Sequence, residues 1–228
     1  MKVLGIETAT EVCAAAIVSD GHVVAESSVA KKNTHAEKLL VLISTVLEEA
    51  AATIDGIDGI AVSIGPGSFT GLRIGLSVAK GLAYAASKPL VAVPTLVALA
   101  QRALDAGKVE PGGFVLAALD ARRDEVYCQL FGVTGTGLTP VWDARDMTTA
   151  ELIGEIDTRD VLLTGDGSMK ILSHAGASHR LTFVGEELSR CGAGSVALLG
   201  HTLLGEGRTE DPSTLEPRYI KDFFLKTR

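Results

Sequence analysis

The stretch whose residue types and spacing could do chemistry is Gly65 to Leu76, GPGSFTGLRIGL. Pro66 fixes its own φ and biases Gly65 out of the helical region, while Gly67 admits a left-handed or close-approach geometry. Ser68 and Thr70 are N-cap candidates for a helix that follows. A run rich in β-branched residues precedes the loop (Gly59 to Ile64) and a long apolar helix pattern leaves it. Strand, glycine turn and helix N-terminus together can aim free backbone N–H groups at an anion. Gly67, Ser68 and Thr70 are therefore candidate nucleotide or anion contacts.

The familiar phosphate loops do not fit. A P-loop needs Lys-Ser/Thr after its last glycine, and here Leu72-Arg73 follow Gly71. The dinucleotide fingerprint is also missed, because Gly65, Gly67 and Gly71 are spaced G-x-G-x-x-x-G and no Asp or Glu occurs between Asp58 and Asp105. Pro66 occupies the first glycine of a serine nucleophile elbow. A tight strand-to-helix turn is the preferred reading of the loop itself. No HExxH is present, which together with the missing elbow removes a peptidase.

The elements that must position this loop follow from patterning. Val3–Ile6, Val12–Ser19 and His22–Val29 read as strands, with Asp20-Gly21 as a hairpin turn. Thr34 is the N-cap candidate of a helix from His35 to Ala52, with Glu37 in the capping-box place. Ile57–Ile64 is a strand, Gly71–Ser87 a helix, Leu90–Val93 a strand and Thr95–Ala106 a helix. Beyond the break at Gly107–Gly113, strands are expected at 114–119, 125–133, 138–142 and 161–164. Helices are expected at 149–156 and 192–205. The second half repeats the first in diluted form, so the expected class is α/β with two lobes of mixed sheet covered by helices. The lobes are set at 1–107 and 108–228, with the last segment packing back on the first.

With 46% hydrophobic and 21% charged residues this is a well-cored globular chain, and with 4% aromatics the core is built from Ala, Val, Leu and Ile. A net charge of −7, without a Lys/Arg cluster longer than a pair, argues against tight nucleic-acid binding by this chain alone. Cys13, Cys128 and Cys191 are isolated and read as buried thiols in a reducing compartment. The N-terminus enters a strand without a signal pattern and no apolar run can span a bilayer, so a cytoplasmic location is expected.

Two helices carry more apolar surface than one face needs. Leu39, Leu42, Ile43, Val46, Leu47 and Ala50 form the main stripe of the first, widened by Leu40 and Val41. Gly71, Gly75, Ala79, Ala83 and Ser87 recur every four residues on the second, leaving a stripe that another backbone can approach closely. Burial against the sheet accounts for part of this excess, and a protein partner is the reading favoured for the rest.

GIETAT with the hairpin after it, THAEKLL, GPGSFTGLRIGL, LDARRDEVY and the late PRYIK resemble the TsaB family, in order along nearly the whole chain. The resemblance implies the two-lobed fold of actin and sugar-kinase ATPases. It also implies a non-catalytic subunit of tRNA threonylcarbamoyladenosine synthesis that binds a TsaD-type catalytic paralogue. A TsaE-type ATPase joins that assembly, tRNA is reached only through it, and the subunit forms a homodimer when alone. No cofactor is expected on this chain by itself, with ATP or ADP at the joint interface as a further option. The resemblance places His35 beside the partner surface; on the apolar excess Leu39, Leu42, Ile43, Val46, Leu72 and Leu76 are expected to supply its hydrophobic contact, Gly71, Gly75 and Ala79 to permit close helix approach, and Arg73 to be a rim charge. A bulky residue at Gly75 is then expected to break the complex and spare the monomer. TsaD-like proteins carry His-x-x-x-His around a metal where this chain has Thr95 and Leu99.

Other residues stay open. Glu7 stands where actin-like ATPases place an acid near nucleotide phosphates, and a strand-end acid capping a turn is the favoured alternative. Asp120 with Arg122, Arg123 and Asp124 reads as a phosphate or tRNA contact or as a solvated hairpin. Gly165-Asp166-Gly167 either faces an adenine or caps a helix. The rival function is an independent ATPase or small-molecule kinase of the same fold.

Overall fold

The computed structural model describes residues 1–31, 34–135, 137–156, 159–176 and 179–221. The first sheet is built by β1 (Lys2–Glu7), β2 (Val12–Ser19), β3 (His22–Ala30), β4 (Gly59–Gly65) and β5 (Leu90–Pro94), in the order β3-β2-β1-β4-β5. Strands β1, β2 and β3 pair antiparallel, and β1-β4-β5 pair parallel. Asp20 (φ 50°) and Gly21 (φ 80°) make the tight turn that the Asp-Gly pair implies.

The second sheet repeats the scheme. It runs β11-β10-β6-β7-β8, from β6 (Phe114–Asp120), β7 (Glu125–Thr134), β8 (Gly137–Pro140), β10 (Asp160–Thr164) and β11 (Arg180–Phe183). A further short strand, β9 (Arg145–Thr148), pairs with β7. The two mixed sheets are those expected from patterning. β9 and β11 were not expected, being too short to show a period, while the seven-residue helix α5 (Ser168–His174) is the one implied by the capping reading of Gly165-Asp166-Gly167.

α1 (His35–Glu49) and α2 (Phe69–Ala85) cover one face of the first sheet, against Leu4, Ile6, Ile60 and Val62. The helix expected to reach Ala52 stops earlier, because Ala51 turns left-handed (φ 47°) and Ala52 N donates back to Leu47 O. Thr34 stands at the N-cap, but its hydroxyl donates to Lys31 O and the helix end receives nothing from it.

The opposite face of the first sheet, Val3, Gly5, Ala61, Ala14 and Ala16, is covered by α6 (Ala193–Gly205), which comes from the second half of the chain. Contact there is between small residues. A Cβ on Gly5 would lie 2.4 Å from Ala193 O, and one on Gly200 would lie 2.2 Å from the Ala61 Cβ. In return α3 (Thr95–Asp105) leaves the first sheet and packs Leu96, Leu99 and Ala103 on Val115, Ala117 and Phe131 of the second. α4 (Thr149–Ile156) and α5 cover that sheet's other face.

After α6 the chain runs back as an extended strap. Glu210 N donates to Leu90 O (2.8 Å) and Arg218 N to Ile64 O (2.7 Å). Lys221 then pairs with Glu125 and, at 3.3 Å, with Asp146 on the second sheet.

Candidate functional site

The Gly65–Leu76 loop lies flat on the turn that follows β1. Ser68 N donates to Ala9 O (2.6 Å), and a Cβ on Gly67 would come within 2.2 Å of that same oxygen. Ser68 is the N-cap of α2, its Oγ accepting from Gly71 N at 3.2 Å, and Thr70 is an exposed first-turn residue. Two of the N–H groups an anion would need are thus taken by the chain itself. As candidate anion contacts, Gly67 is packed away, Ser68 is spent on its own helix, and Thr70 stands outside the loop's inner face.

Glu7 lies beneath this loop, fully buried. One carboxylate oxygen accepts from Ala9 N (2.5 Å), and the other has no partner among the described residues. Burial pushes its pKa up to about 7, against the opposing hydrogen bond from the Ala9 amide. It closes the turn after β1, as the capping alternative has it. Burial also raises Cys13 to about 11, with Glu7 adding to the shift, and holds Cys191 well above the ordinary thiol value. Both thiols are therefore unreactive at neutral pH.

The hairpin tip after β6 is a closed polar knot. Asp120 accepts from Lys170 Nζ (2.6 Å) and Arg122 N (2.6 Å), while Asp166 accepts from Asp120 N (2.8 Å). Burial opposes ionisation of Asp120, but Lys170 and the Arg122 amide hold its carboxyl below the usual range. Arg122 (φ 73°) and Arg123 (φ 48°) are both left-handed, which turns their side chains out to solvent. Gly167 is the N-cap of α5, and a Cβ on Gly165 would meet Ala118 O at 2.0 Å, so this turn packs on β6 as a cap. Among the described residues no three His, Cys, Asp or Glu side chains are grouped to share a metal. Thr95 and Leu99 are both buried.

Most of the residues placed on the partner surface lie inside. Leu39, Leu42, Ile43, Val46, Leu72, Leu76 and Ala79 are buried, most of them in the core beneath α1 and α2. His35 is buried with Nε2 3.0 Å from Thr10 O. The glycine stripe does admit a close approach, but of the chain's own turn. A Cβ on Gly71 would lie 2.1 Å from Thr8 O, and one on Gly75 would lie 2.1 Å from Thr8 Oγ1. Gly75 thus secures the fold, which corrects the expectation that a bulky residue there would spare the monomer.

Arg73 alone of that set is exposed. Its guanidinium stacks over Phe69 (3.7 Å to the centroid) and its Nε donates to Tyr219 Oη at 3.0 Å. The apolar side chains that α1 and α2 do present outward are Leu40 (57% exposed), Val41 (58%) and Tyr84 (86%). The signal for Leu40 and Val41 was their position off the inward stripe.

Comparison with known proteins bears on this arrangement. The family model of TsaD, tRNA N6-adenosine threonylcarbamoyltransferase, matches residues 22–197. The tRNA threonylcarbamoyladenosine biosynthesis protein TsaB of Buchnera aphidicola subsp. Schizaphis graminum is 30% identical over 175 residues, which is 74% of this chain and 80% of that protein. The chain belongs to the TsaD-like family, in its TsaB branch. The TsaB of Escherichia coli (strain K12) is 39% identical over 127 residues, 56% of this chain and 53% of that protein, so this match spans about half of each. The solved YeaZ from Pseudomonas aeruginosa superposes with a TM-score of 0.82 at 27% identity, covering 96% of this chain and 99% of that one. The two-lobed architecture of this TsaB-family chain also recurs in a solved sugar kinase at TM-score 0.53 and 12% identity, a likeness of fold only.

Proposed function

We propose that this TsaB-family chain is a non-catalytic subunit of tRNA threonylcarbamoyladenosine synthesis, docking on a TsaD-type transferase through the outward face of α1 and α2. The observation that carries this is the exposure of Leu40, Val41 and Tyr84 on two adjacent helices whose inner faces already fill the core. Large apolar side chains left to solvent are the kind of surface that a protein partner covers. Support comes from relatives named as tRNA threonylcarbamoyladenosine biosynthesis proteins. The Thr95 and Leu99 side chains, where TsaD-like proteins carry histidines, also agree, since neither is an imidazole.

The same face would join two copies when the partner is lacking, with a TsaE-type ATPase and tRNA engaged through the assembly. Any nucleotide would sit between the subunits, because the loop beside Glu7 is closed by Ala9 and Ser68. Among the described residues no helix is long and apolar enough to cross a membrane, and the subunit would work in the cytoplasm.

The test is to deplete the protein in its host and quantify threonylcarbamoyladenosine in total tRNA by mass spectrometry. A loss restored by the intact gene, but not by a Leu40→Asp, Val41→Asp variant that folds normally, is expected. An unchanged level of the modified nucleoside would overturn the proposal.

A further inference from the structure

Resting on the docking reading above, we infer that the groove between α2 and the strap receives a carboxylate-bearing segment of the partner protein, with Arg73 as its anchor. The groove is open and about 260 Å³ in volume; Arg73, Ser77 and Lys80 form one wall, and Glu216, Pro217 and Tyr219 the other. Positions 73, 77, 80 and 84 fall at i, i+4, i+7 and i+11, one stripe of α2. Tyr84, 86% exposed, follows Lys80 by one turn on that stripe, beyond the residues that line the groove.

Arg73 is set in advance. Stacking on Phe69 and donation from Nε to Tyr219 Oη fix the plane of the guanidinium, and no ion pair occupies it among the described residues. Its two terminal amino groups are left for the paired oxygens of an incoming acid, the geometry guanidinium recognises best. Because the side chain is already held, less rotamer freedom is lost on binding. Lys80 adds a second cation two turns along the same stripe, with Asp211 as a charged neighbour.

The charge around the groove selects a single acid over a polyanion. Glu216 stands in the opposite wall and the whole chain carries −7. RNA phosphates in series would meet that repulsion, and nucleic-acid binding needs an extended basic face. One carboxylate on a protein segment can sit between Arg73 and Lys80 while apolar neighbours reach Tyr84.

Calorimetric titration of the full chain with the TsaD-type protein of the same host tests this. Arg73→Glu and Lys80→Glu are each expected to weaken binding about tenfold, with far-ultraviolet circular dichroism showing a folded chain. Arg73→Lys keeps the charge but loses the fork, and should weaken it roughly threefold. Raising NaCl from about 0.05 to about 0.5 M should weaken the parent strongly and the doubly reversed variant little. Arg73→Gln keeps the test open should a reversed variant fold poorly.

Parent-like affinity and salt dependence in the double variant, with Leu40→Asp abolishing binding, would overturn the acid groove and leave the docking face standing. Parent-like binding by Leu40→Asp as well would bring down the docking reading and this one together. Loss of tRNA retention on filters by the charge variants, with partner affinity unchanged, would make the occupant RNA and refute the inference.

Discussion

Glu7→Gln keeps the shape of the side chain and an oxygen to accept from Ala9 N, and removes the charge. In the parent chain the buried carboxyl has one oxygen without a partner among the described residues, and burial raises its pKa from 4.5 to about 7. Between those values the folded chain holds a proton that the unfolded chain has released. Stability must therefore fall as pH rises through this window and level off above it. Once both states are ionised the loss amounts to about 3 kcal/mol. The amide escapes this, so at pH 8 the variant should be the more stable. For a chain of this length the melting temperature should rise by roughly 6–12 °C. Near pH 4, where both states of the parent are protonated, the gap should close. Differential scanning calorimetry of both proteins from pH 4 to 8 measures this directly. A variant less stable than the parent at pH 8, or a difference that ignores pH, would refute the assignment of a strained, buried acid at this position.

Three further outcomes follow from geometry. Gly75→Leu drives a side chain into Thr8, and should lower stability by about 3 kcal/mol or more. Chemical denaturation of the isolated chain will show it, and a variant that melts like the parent would contradict the packing. Ser68→Ala removes the hydroxyl that caps α2 and should cost about 1 kcal/mol, read from the urea midpoint. Lys221→Ala releases the end of the strap from Glu125 and Asp146. The expected loss is under about 1 kcal/mol at low salt and vanishes in about 1 M NaCl, so melts at two salt concentrations suffice.

Strong local chemistry was legible from the sequence. Asp20-Gly21 prescribed its turn, the period of Leu39, Leu42, Ile43 and Val46 prescribed a helix, and the β-branched run before Gly65 prescribed a buried strand. The helix stripe showed that a face is covered but not by what. Leu39 and Leu42 were read as a partner's contact when the sheet takes them, whereas Leu40 and Val41, which break the stripe, are the ones left to solvent. Gly71 and Gly75 likewise announced a close approach, but their neighbour, Thr8, lies far back in the chain and outside any local pattern. Ser68 was correctly offered as a cap, yet whether its loop is an open cradle depends on Ala9, some sixty residues earlier in the chain and invisible to any local pattern. The strap's grip on Arg73 through Tyr219 is equally long-range, joining residues 146 positions apart.

The exchange of α3 and α6 between the sheets has a consequence for how the chain is made. Synthesis delivers β1 to β5 early, but the helix that seals Val3, Gly5, Ala14 and Ala61 begins only at Ala193. While the ribosome is still reading the second half, one whole face of the first sheet lacks α6, and the Leu96, Leu99 and Ala103 side of α3 has no sheet to lie on until β6 and β7 emerge. The nascent first lobe must wait with an apolar surface exposed, where domains usually close in the order they are made. A fragment of residues 1–107 would be left in that same state, and a supplied α6 peptide is the piece that should complete its sheet.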